Sequence, residues 1–247
     1  MKTKKTLTKK DLQTLKKCKP LLTKKECEYL LNLPLKTKAK GVILEIGAYL
    51  GASTYLLAKT GKTINKKVYT IEKNSGCYKK LKQNLEKAGV KNNVKIINKK
   101  AEKTAKKWNK KISLLWIDAE HTYKATKRDI LNYEKYLEIN GIIAMHDVEN
   151  SENKKIFTNK KHTQYTGTKK AVKELEKTKR FKKLKSADTI ASYEKIKKRK
   201  ILENWKNNIQ VLIIKFDKEI GKTGLYIKKH NKKMYEQLKK IKITLLK

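Results

Sequence analysis

Between residues 41 and 193, short apolar runs alternate with longer stretches in which apolar and charged positions are mixed. The runs are apolar at consecutive positions, as in parallel strands that are buried on both faces. The mixed stretches repeat apolar residues every three or four positions, which is typical of amphipathic helices. The pattern therefore predicts an α/β fold, an open Rossmann-like sheet with helices on both faces. The predicted strands are Val42–Ile46, Val68–Ile71, Val94–Ile97, Ile112–Ile117 and Ile142–Met145.

The segment after the fifth strand is predicted to close the sheet. Glu149–Thr166 is polar and has no periodicity, which favours a loop over the open end of the sheet. A helix is predicted over Ala171–Lys179. The apolar runs Phe181–Leu184 and Thr189–Tyr193 flank the turn residues 186–188 and favour an antiparallel hairpin. The hairpin would bring the sheet to seven strands.

Three further helices carry start or stop signals. Thr8-Lys9-Lys10-Asp11 and Thr23-Lys24-Lys25-Glu26 have capping-box spacing, which predicts two short helices in an N-terminal helical segment, residues 1–40. Tyr123–Glu138 has one apolar stripe and is expected to end before Asn140-Gly141. The main domain is then predicted over residues 41–196.

Residues 197–247 are predicted to be a basic amphipathic helical extension. Their apolar residues recur at three- and four-residue intervals: Ile201, Trp205, Ile209, Leu212, Phe216 and Ile220, then Met234, Leu238 and Ile241. Such a helix could form a homodimer contact or lie on a membrane surface. Packing against the main domain is the simpler expectation, and we favour it.

The net charge suggests nucleic acid as a partner, but the choice of basic residues does not support it. The formal net charge is +42, which would ordinarily indicate binding to nucleic acid. However, only Arg128, Arg180 and Arg199 are arginines, whereas the two-pronged guanidinium is the preferred phosphate and guanine contact. We therefore expect most lysines to be solvated surface charges, with nucleic acid a less favoured partner.

Cysteine usage and hydropathy indicate the compartment. Cys18, Cys27 and Cys77 are an odd number and form no Cys-x-x-Cys pair, so neither a disulfide framework nor a thiolate zinc site is expected. No secretory leader and no transmembrane segment are expected from the apolar runs. A cytoplasmic protein fits these features best.

The turn after the first predicted strand has the form of a ligand-binding loop. It is Glu45-Ile46-Gly47-Ala48-Tyr49-Leu50-Gly51, at the position where an open α/β sheet approaches a nucleotide-like ligand. Its spacing is not the Gly-x-Gly-x-x-Gly of dinucleotide sites, which disfavours nicotinamide and flavin enzymes. Glu72 ends the second strand, where a carboxylate can accept hydrogen bonds from both hydroxyls of a ribose.

Chemically active side chains follow the fourth and fifth predicted strands. Asp118 ends the fourth, with His121 close behind, and His146-Asp147 ends the fifth. Neighbouring parallel strands would bring these ends to one rim, which makes Asp118, His146 and Asp147 a candidate site for a divalent metal such as magnesium or manganese. In the absence of a metal, His121 or His146 could act as general base.

Two motifs resemble those of class I S-adenosylmethionine-dependent methyltransferases. Ile117-Asp118-Ala119-Glu120-His121-Thr122-Tyr123 is similar to the Ile-Asp-Gly-Asp-His-Ser-Tyr motif of one such family, and Gly141 to Val148 to its His-Asp-Val motif. The acid-x-Gly-x-x-x-Gly turn resembles the first motif of the class. The family is related to the macrocin- and catechol-type O-methyltransferases, and in the catechol type an Asp and an Asp-Asn pair hold magnesium. Here the second pair is His-Asp, a departure from that oxygen set.

The resemblance implies S-adenosylmethionine as cofactor and assigns its contacts. They would lie along the first two strands and after the third and fourth: Glu45, Gly47, Tyr49, Gly51, Ser53, Glu72, Ala101, Glu102 and Asp118. The family often has an acidic or amide residue near Lys100 to contact the adenine amine. A lysine cannot accept that hydrogen bond, so Glu102 or a backbone group is expected to replace it.

The function expected from these residues is methyl transfer to a hydroxyl of a small molecule or a glycan. Asp118, His121 and His146 are the candidate catalytic residues. Two alternatives stay open: an RNA methyltransferase, and a non-catalytic binding or scaffold protein on the same fold. The missing Asn/Asp-Pro-Pro-Tyr motif weakens the case for methylation of adenine amino groups.

Overall fold

The computed structural model describes residues 4–157 and 165–199. Within these residues, α-helices and strands alternate along the chain after two initial helices. The helices are α1 Lys9–Cys18, α2 Lys24–Lys36, α3 Ala52–Thr63, α4 Ser75–Lys87, α5 Ala101–Ala105, α6 Tyr123–Tyr133 and α7 Thr166–Lys177. The strands are β1 Val42–Ile46, β2 Val68–Ile71, β3 Val94–Ile97, β4 Ile112–Ile117, β5 Leu137–Met145, β6 Phe181–Lys183 and β7 Ala191–Lys195.

All seven strands form one sheet, in the order β3-β2-β1-β4-β5-β7-β6. The first five are parallel, whereas β7 is antiparallel to both β5 and β6. One apolar cluster contains residues of α1 to α4, and a second on the other face contains residues of α5 to α7. The predicted seven-stranded α/β sheet with helices on both faces is confirmed.

Both predicted capping boxes are present at the starts of α1 and α2. The Thr8 hydroxyl accepts the Asp11 N–H, and the Asp11 carboxylate accepts the Thr8 N–H; Thr23 and Glu26 form the same reciprocal pair. Leu15 of α1 and several leucines of α2 are fully buried in the same apolar cluster as the sheet. The two helices therefore cover one face of the sheet.

The sequence placed the end of α6 too late. The helix stops at Tyr133, a 3-10 turn follows, and Leu137 already pairs with Ile112 as the first residue of β5. The Oε1 atom of buried Glu134 forms ion pairs with Arg180 Nη1 at 2.6 Å and with Lys195 Nζ at 3.1 Å, and these pairs hold the turn in place. Leu137 is thus buried by strand pairing, although its spacing also fitted the helical stripe.

The closing hairpin is present with shifted boundaries. β7 begins at Ala191, and Thr189 instead offers its carbonyl oxygen to the N–H groups of Val148 and Glu149. Helix α7 begins at Thr166, earlier than predicted. Of the predicted loop, residues 158–164 lie outside the described part of the chain.

The predicted C-terminal extension lies almost wholly outside the described residues, which end at position 199. Its helical pattern, its possible role in a homodimer and the domain boundaries stay predictions. Among the helices that the structure describes, none combines the length and the apolar character needed to cross a membrane.

Candidate active site

The ends of the central strands form one row of side chains. The last residues of β1, β2, β4 and β5 lie in register with one another, so the residues that follow them line up along one sheet edge. These residues are Gly47, Glu72, Asp118 and His146. Strand order reverses between β1 and β4, and ligands of open α/β sheets bind at that crevice. Gly47 and Asp118 therefore flank the expected binding position.

The two glycines of the β1–α3 turn are required by close packing. Gly47 has φ +91°, and a Cβ there would lie 1.9 Å from the carbonyl oxygen of Asp118. Gly51 has φ +96°, and its Cβ would lie 2.6 Å from Leu81 Cδ1 of α4. Both conformations disfavour residues with a Cβ. The glycines thus let the turn press against β4 and α4, beside the crevice.

Glu72 is held against this turn. Its Oε2 accepts the Tyr49 N–H at 2.9 Å, and its Oε1 accepts the Asn74 N–H at 2.8 Å. An ionised carboxylate has about four acceptor positions, so each oxygen keeps one for a further donor. Tyr49 is half exposed and has φ +48°. This arrangement fits a ribose whose hydroxyls would donate to Glu72.

Glu45 and Ser53 lie beneath the turn. The fully buried Glu45 carboxylate accepts hydrogen bonds from Ser53, Thr54 and Thr70, at 2.5, 2.5 and 2.6 Å. Burial raises the pKa of Glu45 to about 7, although the three hydroxyls oppose the shift. The side chains of Glu45 and Ser53 were predicted to contact the cofactor, but in the structure they bond to each other in the interior. The hydrogen bonds of Glu45 fix β1, β2 and α3 under the turn.

The candidate adenine contacts lie at the start of α5, after β3. Lys100 is exposed at the N-cap position. The carbonyl oxygen of buried Ala101 accepts the Tyr133 hydroxyl at 2.7 Å. Glu102 is partly exposed, with Arg128 Nη2 at 3.9 Å from its Oε2. Of these groups, the Glu102 carboxylate is the acceptor that remains nearest to solvent.

His146 lies between carboxylates on both sides of its ring. Its Nδ1 is 3.2 Å from Asp118 Oδ1 and 3.6 Å from Asp147 Oδ2, while its Nε2 is 3.4 Å from Glu26 Oε2. Burial alone would lower the pKa of His146, but the charges and hydrogen bonds of Asp118 and Glu26 hold it well above its usual value. The sequence identified Glu26 only as a helix-capping residue, since nothing in the pattern places α2 beside β5.

The proposed metal ligands do not fit a divalent-cation site in this arrangement. Both ring nitrogens of His146 face carboxylate oxygens, whereas a metal-bound imidazole needs a free nitrogen lone pair. Across residues 4–157 and 165–199, no three His, Cys, Asp or Glu side chains are grouped so as to hold a metal ion. Asp118, His146 and Asp147 do come together, as predicted, but as an ionic cluster.

His121 is the more accessible of the two candidate bases. Its side chain is 26% exposed, against 3% for His146, and its Nε2 lies 3.6 Å from Asp147 Oδ2. Tyr165 stacks on the His121 ring at 4.4 Å between centroids. The His121 carbonyl oxygen also accepts the Thr168 hydroxyl at 3.4 Å, so α7 helps to fix this segment.

Several solved structures with the same fold are described as methyltransferases. A methyltransferase from Podospora anserina, bound to S-adenosylhomocysteine, superimposes with TM-score 0.60 and 19% identity over 79% of this chain and 92% of its own. An O-methyltransferase from Bacillus cereus, in complex with S-adenosylhomocysteine, gives 0.57 and 16% over 76% and 92%. The O-methyltransferase TomG from Streptomyces achromogenes, in complex with S-adenosylmethionine, gives 0.57 and 14% over 77% and 91%. At these identities the likeness establishes the shared fold.

A family profile described as a methyltransferase domain matches residues 44–148. The matched segment begins in β1 and ends just after β5, and so contains the glycine turn, Glu72 and all four strand-end residues of the row. Both motifs that resemble those of methyltransferases lie within it. Residues 44–148 are therefore similar to a methyltransferase domain, and the chain shares the fold of solved methyltransferases.

Proposed function

We propose that this chain transfers the methyl group of S-adenosylmethionine to a hydroxyl group of a small molecule or a glycan. The observation that carries the proposal is the position of His121. This partly exposed imidazole, oriented by Asp147, lies next to the crevice between β1 and β4. A base at that place can take the proton that a hydroxyl must lose as it is methylated.

The cofactor would lie across the row of strand ends. Glu72 would accept the ribose hydroxyls with the acceptor positions left by Tyr49 and Asn74. The Gly47–Gly51 turn would contact the methionine part, and Ala101 and Glu102 would lie on the adenine side. Asp118 would contact the cofactor between these groups and the histidines. When bound, S-adenosylmethionine supplies an electrophilic methyl group on a positively charged sulfur.

The protein residues would orient the acceptor and accept its proton. As its oxygen is methylated, the acceptor would lose its hydroxyl proton to His121 Nδ1, the ring nitrogen that does not face Asp147. The carboxylate of Asp147, 3.6 Å from His121 Nε2, would then stabilise the imidazolium. In-line placement of the reacting atoms supplies much of the rate enhancement. No step in this scheme requires a metal.

The descriptions of structural neighbours also support a hydroxyl group as the methyl acceptor. Two of the three structural neighbours named above are described as O-methyltransferases, and one of these two, TomG, is described as involved in tomaymycin synthesis. The exposed rings of Tyr49 and Tyr165 provide apolar surface near the crevice. These features favour a small-molecule acceptor without distinguishing it from a glycan.

The test combines cofactor binding with methyl transfer. S-adenosylhomocysteine should bind the unsubstituted protein in calorimetry, about tenfold or more weakly in Glu72→Gln, and equally well in the control Glu120→Gln, which alters an exposed acid. Transfer of a labelled methyl group should then be measured to panels of hydroxylated small molecules, glycans and RNA. No binding by the unsubstituted protein would contradict the cofactor assignment. Methylation of RNA alone would favour the alternative function.

A further inference from the structure

Glu26 joins the N-terminal helices to the candidate active site. It lies in the first turn of α2, outside the segment that matches the methyltransferase family, and its side chain is fully buried. Its Oε2 accepts the Thr23 N–H at 2.8 Å, which completes the capping box. Its Oε1 accepts the N–H and the hydroxyl of Thr189, at 3.0 and 2.6 Å. Helix α2 is thereby tied to the connection between β6 and β7.

The same carboxylate faces the histidine at the end of β5. Glu26 Oε2 lies 3.4 Å from His146 Nε2, and His146 Nδ1 lies 3.2 Å from Asp118 Oδ1. The imidazole therefore bridges a carboxylate in the interior and a carboxylate that is 23% exposed in the crevice. Because both ends of the ring have ionic or hydrogen-bonding partners, its orientation is fixed.

Thr189 connects Glu26 to Asp147, the second carboxylate residue beside the histidines. Its hydroxyl donates to Glu26 and lies 3.4 Å from the N–H of Asp147, whose φ is +56°. The left-handed conformation of a residue other than glycine persists only where surrounding contacts hold it. Asp147 in turn lies beside His121. Glu26 thus contacts both His146, which faces Asp118, and Thr189, which lies beside the backbone of Asp147.

We propose that Glu26 is a positioning residue of the methyl-transfer reaction, acting through His146 and Thr189 on the carboxylates of Asp118 and Asp147. The inference rests on the proposed function, since it assigns a purpose to the placement of those carboxylates. The N-terminal helical segment then supplies part of the active site and is more than a cover for one face of the sheet.

The experiment compares two buried acids that occupy the same capping position. Glu26→Gln keeps the size of the side chain but removes the charge that faces His146. Asp11→Asn is the matched control, because Asp11 caps α1 in the same way and is equally buried, but bonds to Tyr55 and Lys59 of α3. Each variant is measured for kcat, for the KM of an acceptor found as above, for S-adenosylhomocysteine affinity and for the ring ¹⁵N signals of His146.

We expect Glu26→Gln to lower kcat by about 100-fold, as misplacement of reacting groups by about 1 Å does, while cofactor affinity changes less than about twofold. The His146 ¹⁵N signals should shift in Glu26→Gln and stay unchanged in Asp11→Asn. Unchanged kcat in folded Glu26→Gln, or an equal loss of kcat in Asp11→Asn, would overturn the inference. If Glu26→Gln does not fold, Glu26→Asp, which keeps the charge but shortens the reach to His146, is judged by the same measurements.

The outcomes separate this inference from the proposed function. Absence of cofactor binding or methyl transfer in the unsubstituted protein would contradict the proposed function. The His146 spectrum would still report whether Glu26 fixes the ring, because that measurement needs no cofactor. An unshifted spectrum in Glu26→Gln would overturn the positioning role whatever the reaction is.

Discussion

The carbonyl oxygen of Asp118 lies 1.9 Å from the point that a Cβ on Gly47 would occupy. The two residues follow β1 and β4, the neighbouring strands between which the strand order reverses. The Asp118 N–H also donates to the Ile46 carbonyl oxygen at 2.9 Å, which continues the strand pairing by one residue. The crevice expected to bind the cofactor is thus bounded by two backbone segments in close contact.

Gly47→Ala should destabilise the domain by about 3 kcal/mol or more, because an unfavourable φ and an overpacked contact each cost about 1–3 kcal/mol. The control is Gly89→Ala. Gly89 also has a positive φ, +70°, but a Cβ there would meet nothing within 4 Å, so about 1 kcal/mol is expected. Urea unfolding measures both. Equal losses of stability would contradict the importance of the contact with Asp118.

His121→Asn should lower kcat by about 100-fold or more, since asparagine is similar in size but cannot accept a proton near neutral pH. The affinity for S-adenosylhomocysteine should stay within about twofold, because His121 is proposed to act on the acceptor and not to contact the cofactor. Lys124→Gln, at an exposed position in the first turn of α6, serves as control and should retain full turnover. Full turnover in His121→Asn would remove this histidine from the mechanism.

Glu45→Gln should change how stability depends on pH. The folded-state pKa of Glu45 is about 7, against an ordinary 4.5, so the folded protein binds the proton more tightly than the unfolded chain. The free energy of unfolding should therefore fall as the pH rises from about 4.5 to about 7, by up to about 3 kcal/mol from this group.

Glutamine at position 45 does not ionise, so the variant should lose less stability than the unsubstituted protein between pH 5 and pH 8. Urea midpoints of both proteins at the two pH values provide the comparison. Parallel pH profiles would show that the buried carboxyl group does not titrate as its surroundings indicate.

Turnover should be unchanged, within about twofold, after dialysis against a chelator. The physical reason is that both nitrogens of His146 face carboxylates, so the Asp118, His146 and Asp147 side chains are committed to one another. Activity should be compared before dialysis, after it, and after addition of magnesium or manganese. A loss that either cation restores would show that the cluster rearranges around a metal.

Periodicity was sufficient to locate the parallel strands, because a strand buried on both faces has an unbroken apolar run. The first four have the predicted bounds. Residues that end parallel strands must meet at one edge, so the proximity of Asp118 to His146 could also be predicted. The helix over Tyr123–Glu138 could not be delimited, because Leu137 fits the apolar stripe of α6 and the inward face of β5 equally well.

Local patterns thus determined the α/β class, the capping boxes of α1 and α2, the turn from Glu45 to Gly51 and the strand ends that carry Asp118 and His146. Only the tertiary structure decided which partners these groups meet. Glu45 has the spacing of a ligand-binding acid, yet its carboxylate bonds to three buried hydroxyls. Glu26 has the spacing of a helix cap, yet it also faces His146, 120 residues away along the chain. Contacts at such separations depend on how the helices pack on the sheet, and the periodicity of a sequence specifies the face of each helix but not the side chain opposite it.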